Sequence, residues 1–162
     1  MAEKPVMVMG LDESEHSFYA LEWTLDNFFA KSGSDHPFKL VIVHARRTPA
    51  SVIGVAGPGI PLQGSGDFIT VLETDIKKEA IKTVVKATEV CKKKSVNEVT
   101  VEVNEGDPRN VICEAVDKHH ASILVVGSHG YGAIKRAVLG SVSDYCTHHA
   151  HCTIMIVKKP KN

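Results

Sequence analysis

A short apolar run followed by glycines restricts the possible folds of this chain more than any other stretch. Residues 123–126 read Ile-Leu-Val-Val, Gly127 and Gly130 come directly after them, and Gly140 follows further on. A run of this length is too short for a helix but suits a strand that is buried on both faces of a parallel sheet. Open α/β sheets bind ligands just past the carboxyl ends of such strands. The stretch therefore predicts a central parallel strand that leads into a binding loop.

The residues after these glycines predict the start of a helix. Ser141 is expected to cap a helix that contains Val142, Tyr145 and Cys146. Backbone N–H groups at a helix N-terminus attract anions, and glycines leave such groups uncovered because they lack a Cβ atom. We therefore interpret the loop and the helix start as a phosphate site. The alternative is a turn whose glycines only provide positive φ angles.

Apolar runs alternate with helical patterns along the rest of the chain. Strands are predicted over residues 5–10, 39–45, 99–103, 123–126 and 153–157, and helices are predicted from residues 14, 68, 107 and 141. Five strands that alternate with four helices are typical of a doubly wound α/β domain, with a five-stranded parallel sheet and helices on both faces, as in Rossmann-like folds. The alternation of apolar and polar residues in the third strand indicates an edge strand.

One segment does not fit the alternation of strands and helices. Residues 46–67 are rich in glycine and proline, which predicts a loop and neither a helix nor a strand. A compact domain seldom leaves so long a segment without structure unless it has a function. We therefore expect a lid or a binding loop here.

Composition excludes several classes of protein. With 162 residues the chain is expected to form one domain over residues 1–162, and its net charge of zero gives no sign of a nucleic-acid partner. The sequence has no apolar run of membrane-spanning length and no signal-peptide pattern at its start, so we expect a cytoplasmic protein. Its four cysteines form no C-x-x-C pair and are expected to be reduced thiols.

Asp12 is the main candidate for a contact with a sugar. It follows the first strand, and it lies beside the glycine loop if the first and fourth strands are neighbours. A carboxylate at this place can accept hydrogen bonds from ribose hydroxyl groups. A solvated turn residue and a cap for the helix near Ser14 are the alternatives. The residues alone leave all three open.

The spacing of the glycines resembles a known nucleotide-binding signature. Residues 127–141 read G-x2-G-x9-G-S, as in the universal stress protein family, and the resemblance extends over nearly the whole chain. It implies that the ligand is ATP or AMP, with or without Mg²⁺, that Asp12 holds the ribose and that the backbone near Ala45 contacts the adenine. The residues that match the family's phosphate contacts are Gly127, Gly130, Gly140, Ser141 and Val142. Leu11 and Val126, which precede Asp12 and Gly127, complete the predicted set.

The resemblance also implies a function and an assembly. Universal stress proteins of this type bind adenine nucleotides as stress-related sensors or regulators, and they often form homodimers through the last strand, here residues 153–157. The Gly/Pro-rich segment and the His-rich end look like those of plant members. Two rival functions remain: a slow ATPase in which Lys135 or Arg136 stabilises the transferred phosphate, and an interaction module that needs no nucleotide.

No catalytic or metal-binding residues are predicted. The chain contains neither a G-x-x-x-x-G-K-S/T motif nor a G-x-S-x-G motif. A Cys/His cluster lies near the end of the chain, but helical spacing does not bring four of its side chains together as a tetrahedral metal site requires. Its members are Cys146, His148, His149, His151 and Cys152.

Overall fold

The five apolar runs form a parallel sheet whose strands are covered by helices on both faces. The computed structural model describes residues 3–33, 35–56, 66–129 and 139–160. The strands are β1 (Val6–Gly10), β2 (Lys39–Arg46), β3 (Val99–Glu105), β4 (Ile123–Gly127) and β5 (Thr153–Val157). Their order in the sheet is β3-β2-β1-β4-β5, with every pair parallel. The predicted fold class is confirmed, and β3 is an edge strand as its alternating pattern predicted.

Five α-helices connect the strands in the described parts of the chain. They are α1 (Glu15–Thr24), α2 (Pro49–Ala56), α3 (Gly66–Lys93), α4 (Pro108–Lys118) and α5 (Ser141–His149), and α1 continues as a π-helical turn (Leu25–Phe29) and a 3-10 turn (Ala30–Ser32). One hydrophobic cluster packs α1 and α3 against the sheet, and a second packs α4 and α5 against the opposite face. None of the described helices is long and apolar enough to cross a membrane.

The chain changes direction across the sheet at β1. Strand β1 pairs with β2 on one side and with β4 on the other. Successive strands therefore run outward from β1 to β3 on one side and outward from β4 to β5 on the other. Doubly wound sheets open a crevice at the carboxyl ends of the strands where this reversal occurs. The sequence-based interpretation of Asp12 required β1 and β4 to be neighbours, and they are.

The start of α4 follows the sequence prediction. Asp107 is the N-cap residue, its side chain accepts a hydrogen bond from the Arg109 N–H at 2.9 Å, and Pro108 is the first helical residue. Proline suits this position because its missing N–H would have no partner inside the helix.

The prediction that residues 46–67 form a loop is wrong for the part that the structure describes. Helix α2 spans Pro49–Ala56, and α3 already begins at Gly66. Thr48 Oγ1 accepts a hydrogen bond from the Ser51 N–H at 3.1 Å, as an N-cap residue does, and Pro49 opens the helix. The Thr48-Pro49 pair is the sequence signal for the start of this helix. The glycines and prolines that follow it are the signal that favours a loop. Residues 57–65, where a lid would lie, are outside the described residues.

Candidate functional site

The turn after β1 is held by backbone and side-chain hydrogen bonds. The Leu11 N–H donates to the Val43 carbonyl at 2.9 Å and so continues the β1–β2 pairing by one residue. The Asp12 N–H donates to Ser17 Oγ at 2.8 Å, and Asp12 Oδ1 accepts the Ser14 N–H at 2.8 Å. The carboxylate of Asp12 therefore supports the start of α1, where Ser14 is the N-cap residue. The capping alternative for Asp12 is therefore wrong in its residue, because Ser14 is the cap and Asp12 binds the backbone of that cap.

His44 is a site residue that the sequence analysis missed. Its side chain is only 6% exposed, and Nδ1 lies 2.8 Å from the Leu11 carbonyl oxygen. Because a carbonyl oxygen only accepts, Nδ1 must carry the proton in this bond. His44 thus joins β2 to the turn that carries Asp12, and it is adjacent to Ala45, the predicted adenine contact. Its only signal in the sequence is a polar residue within the otherwise apolar run of residues 40–45.

The end of β4 lies against the backbone of α1. Val126 is buried, and a Cβ atom added to Gly127 would lie 3.0 Å from the His16 carbonyl oxygen. The rings of His16 and His129 meet edge to face with centroids 5.3 Å apart. Glycine at position 127 therefore leaves room for the close approach of α1. The glycines with positive φ in the described ranges are Gly33 and Gly106, far from this motif in sequence.

The start of α5 differs from the prediction in one respect. Gly140 is the N-cap residue, no side chain caps the helix there, and Ser141 is its first helical residue. The prediction that Ser141 caps α5 is therefore wrong by one position. The Ser143 hydroxyl group does not cap the helix but donates toward carbonyl oxygens, with Oγ 3.0 Å from that of Ser128 and 3.1 Å from that of Gly140. The Gly140 N–H also donates to the Ser128 carbonyl oxygen, at 2.6 Å.

These segments meet at one end of the sheet. Leu11, Ala45 and Val126 lie at or just past the carboxyl ends of β1, β2 and β4, and the loop from β4 is hydrogen-bonded to the first turn of α5. The N–H groups at the start of an α-helix have no partner within the helix, so those of Ser141 and Val142 form an electropositive terminus. Gly130 lies outside the described residues, as do the two basic side chains of the ATPase hypothesis. Among the described side chains, no group of three or more His, Cys, Asp or Glu is placed to hold a metal ion.

Comparison with models of protein families identifies the family of this chain. The model of the universal stress protein family matches residues 5–158. The chain belongs to the universal stress protein family. The match spans all five strands and α1 to α5, and it confirms the resemblance based on the glycine spacing.

Related sequences come from bacteria, archaea and plants. Universal stress protein YxiE of Bacillus subtilis is 30% identical over 156 residues, which cover 94% of this chain and 97% of that protein. The universal stress protein A-like protein of Arabidopsis thaliana is 28% identical over 140 residues, 86% of this chain and 77% of that protein. Universal stress protein MJ0531 of Methanocaldococcus jannaschii is 37% identical over 103 residues, but the matched stretch spans only 64% of this chain and 58% of that protein.

Solved structures of universal stress proteins share the fold. UspA from Lactobacillus plantarum superposes with a TM-score of 0.73 at 15% identity, covering 96% of this chain and 99% of that one. A family member from Arabidopsis thaliana with AMP bound gives 0.64 at 23% identity, covering 96% and 93%. A universal stress protein from Archaeoglobus fulgidus in complex with dAMP gives 0.59 at 18% identity, covering 98% and 100%. At these identities the likeness concerns the fold.

Proposed function

We propose that this chain binds an adenine nucleotide, AMP or ATP, at the carboxyl ends of β1, β2 and β4 and acts as a nucleotide-dependent regulator. The observation that carries the proposal is the convergence of the Asp12 turn and the N-terminus of α5 on the crevice between β1 and β4. The AMP and dAMP complexes of proteins with the same fold support the choice of ligand. ATP would bind with Mg²⁺ through its phosphate oxygens, the ligands that this ion prefers.

Each predicted residue has a proposed role in this site. Asp12 accepts hydrogen bonds from the ribose, and the backbone at Ala45, with Leu11 beside it, lines the adenine side. The N–H groups of Ser141 and Val142 donate to phosphate oxygens, as anions at helix N-termini generally accept such bonds. The remaining phosphate contacts come from Gly127, Gly130 and Gly140, and Val126 positions this loop.

The energies of these contacts favour a ligand held through its base and sugar as well as its phosphates. A contact with a helix N-terminus contributes about 0.3–2 kcal/mol. A micromolar dissociation constant corresponds to about 8 kcal/mol. Because the phosphate contacts supply only part of this, the adenine and ribose contacts must supply the rest. We therefore expect AMP to bind although it lacks the two additional phosphates of ATP.

We further propose that two copies associate through β5 in the cytoplasm. Strand β5 is an edge strand, and its residues Ile154, Met155 and Ile156 are only partly buried in the single chain. An apolar edge strand is generally covered by another chain or element. The four cysteines of the sequence include no C-x-x-C pair and are too few for a disulfide framework, a pattern typical of proteins from a reducing compartment. A monomeric mass in sedimentation equilibrium at high protein concentration would contradict the dimer.

Thermal unfolding of ligand-free protein with AMP, ATP or GTP tests the nucleotide site. At a nucleotide concentration 100 times the dissociation constant, binding adds about 2.7 kcal/mol, which raises the Tm by roughly 5–10 °C for a chain of this size. We expect this shift with AMP and ATP and not with GTP. The absence of a shift with every nucleotide would refute the proposed function.

Gly140→Val locates the phosphate end of the site. Gly140 has φ −72° and ψ 166°, which any residue adopts, so the variant is expected to fold, with a Tm roughly 2–4 °C lower because valine is a poorer N-cap residue than glycine. The valine side chain would cover the approach to the N-terminus of α5, and AMP should bind roughly tenfold more weakly, a loss of about 1.4 kcal/mol. Thr147→Val places the same side chain at an exposed position on α5 and should not change AMP binding. Unchanged affinity in a folded Gly140→Val protein would exclude this location.

A further inference from the structure

Three of the four cysteines lie together on the face of the sheet that α4 and α5 cover. Cys113 is on α4, Cys146 is on α5, and Cys152 immediately precedes β5; all three belong to the hydrophobic cluster on this face. Cys91 belongs to the cluster on the opposite face. Three of the four cysteines therefore lie on α5 or in the cluster around it, and α5 is the helix that begins at the candidate nucleotide site.

Two of these cysteines are in direct contact. Cys113 Sγ and Cys146 Sγ are 4.0 Å apart, across the packed surfaces of α4 and α5. A disulfide bond requires a separation of about 2.05 Å. The two sulfur atoms must therefore approach by roughly 2 Å for the bond to form.

We propose that Cys113 and Cys146 are a redox-active dithiol that a hydroperoxide oxidises to a disulfide joining α4 to α5. In the first step the Cys113 thiol gives up its proton and its sulfur attacks one peroxide oxygen; the O–O bond breaks, and the departing oxygen takes up a proton and leaves as an alcohol or water. In the second step the Cys146 thiol gives up its proton and its sulfur attacks the sulfur of the sulfenic acid at Cys113; the S–O bond breaks, and the hydroxide takes up a proton and leaves as water. The two thiols lose two hydrogen atoms in all, and the peroxide is reduced.

The surroundings of the two thiols assign the order of these steps. Burial raises the pKa of the Cys113 thiol, and burial together with the neighbouring Cys113 raises the pKa of Cys146 to about 12. Both groups are therefore protonated at neutral pH, and the pair remains reduced unless an oxidant is present. Cys146 is completely buried whereas Cys113 is only partly buried, so the peroxide reaches Cys113 first.

The disulfide would act on the candidate nucleotide site through α5. Ser143 precedes Cys146 by one helical turn and is hydrogen-bonded to the Ser128 carbonyl oxygen in the loop after β4. Because α5 has only nine residues, a displacement at Cys146 moves its first turn as well. We expect the oxidised protein to hold AMP more weakly. This consequence rests on the proposed function, whereas the formation of the disulfide does not.

Peptide mapping tests the disulfide directly. Trypsin releases Cys113 in the peptide 110–118 but places Cys146 and Cys152 together in the peptide 137–158, so the experiment uses Cys152→Ala, in which each peptide has a single cysteine. After treatment of the folded protein with hydrogen peroxide, we expect a linked peptide that is lighter than the sum of its parts by two hydrogen atoms and that thiol reductants separate. Cys113→Ser, a change at a partly buried position, should give no such product. Failure to find the linked peptide would overturn the proposal.

AMP binding before and after oxidation tests the regulatory consequence. We expect roughly fivefold weaker binding or more after oxidation, the lower end of typical coupling between two sites, with recovery on reduction. Cys113→Ser should bind AMP equally well before and after peroxide treatment, which separates the disulfide from methionine oxidation. If the disulfide forms but the AMP affinity stays unchanged, the proposal that the disulfide regulates nucleotide binding is overturned. Failure of the reduced wild-type protein to bind AMP would refute the proposed function and leave the dithiol standing.

Discussion

Gly127→Ala is expected to lower the free energy of unfolding by about 1–3 kcal/mol, the usual cost of forcing extra volume into a packed site. The added Cβ would lie 3.0 Å from the His16 carbonyl oxygen and 3.1 Å from its carbon. Both are backbone atoms in the first turn of α1, so no side-chain rotation relieves the contact. Either α1 or the end of β4 must move. Urea unfolding of the two proteins measures the difference.

Gly140→Ser is the matched control for this prediction. Gly140 belongs to the same glycine motif, but it is the N-cap residue of α5 and its φ and ψ are open to serine, a preferred N-cap residue, so we expect the free energy of unfolding to stay within about 0.5 kcal/mol of the wild-type value. If Gly127→Ala is as stable as Gly140→Ser, the close approach of α1 does not explain the glycine at position 127. AMP binding by the two variants is a separate measurement and does not decide this question.

The glycine motif predicted the family of this chain but not the structural role of each glycine. Their spacing was sufficient to indicate the family, which the family model confirms over residues 5–158. The physical reason for Gly127 was not available from the sequence, because it depends on where α1 packs relative to β4. Gly127 has no positive φ angle that would call for glycine. The close approach of the His16 backbone gives a physical reason for it.

Local patterns predicted the fold more completely than the site. Apolar runs identified all five strands, and the Asp107-Pro108 pair located the start of α4, because these signals act within a few residues. The same local reasoning placed the cap of α5 on Ser141 instead of Gly140 and treated residues 49–56 as loop. In both places two local signals competed: Gly140 with Ser141 as the cap of α5, and the Thr48-Pro49 pair with the glycines and prolines that follow it. Local propensity is too weak to decide between such signals.

His44→Leu is expected to weaken both the fold and AMP binding. Leucine keeps most of the buried volume but leaves the Leu11 carbonyl oxygen without the donor that now lies 2.8 Å away. An unsatisfied buried acceptor costs about 1–3 kcal/mol, which urea unfolding should detect. The turn that presents Asp12 loses its link to β2 at the same time. We therefore expect AMP to bind roughly tenfold more weakly, a loss of about 1.4 kcal/mol in calorimetric titration.

His44→Asn distinguishes the hydrogen bond from the mere presence of a side chain. The amide nitrogen of asparagine is as many bonds from Cα as Nδ1 of histidine, so it can donate to the Leu11 carbonyl oxygen from the same place. Glutamine places its amide one carbon further along the chain and cannot do so without displacing the turn. If the Nδ1 bond positions Asp12, asparagine should restore most of the AMP affinity, and glutamine should behave like leucine. Equal affinities for the asparagine and leucine variants would show that the bond does not position the site. A stability loss without an affinity loss would limit His44 to a role in the fold.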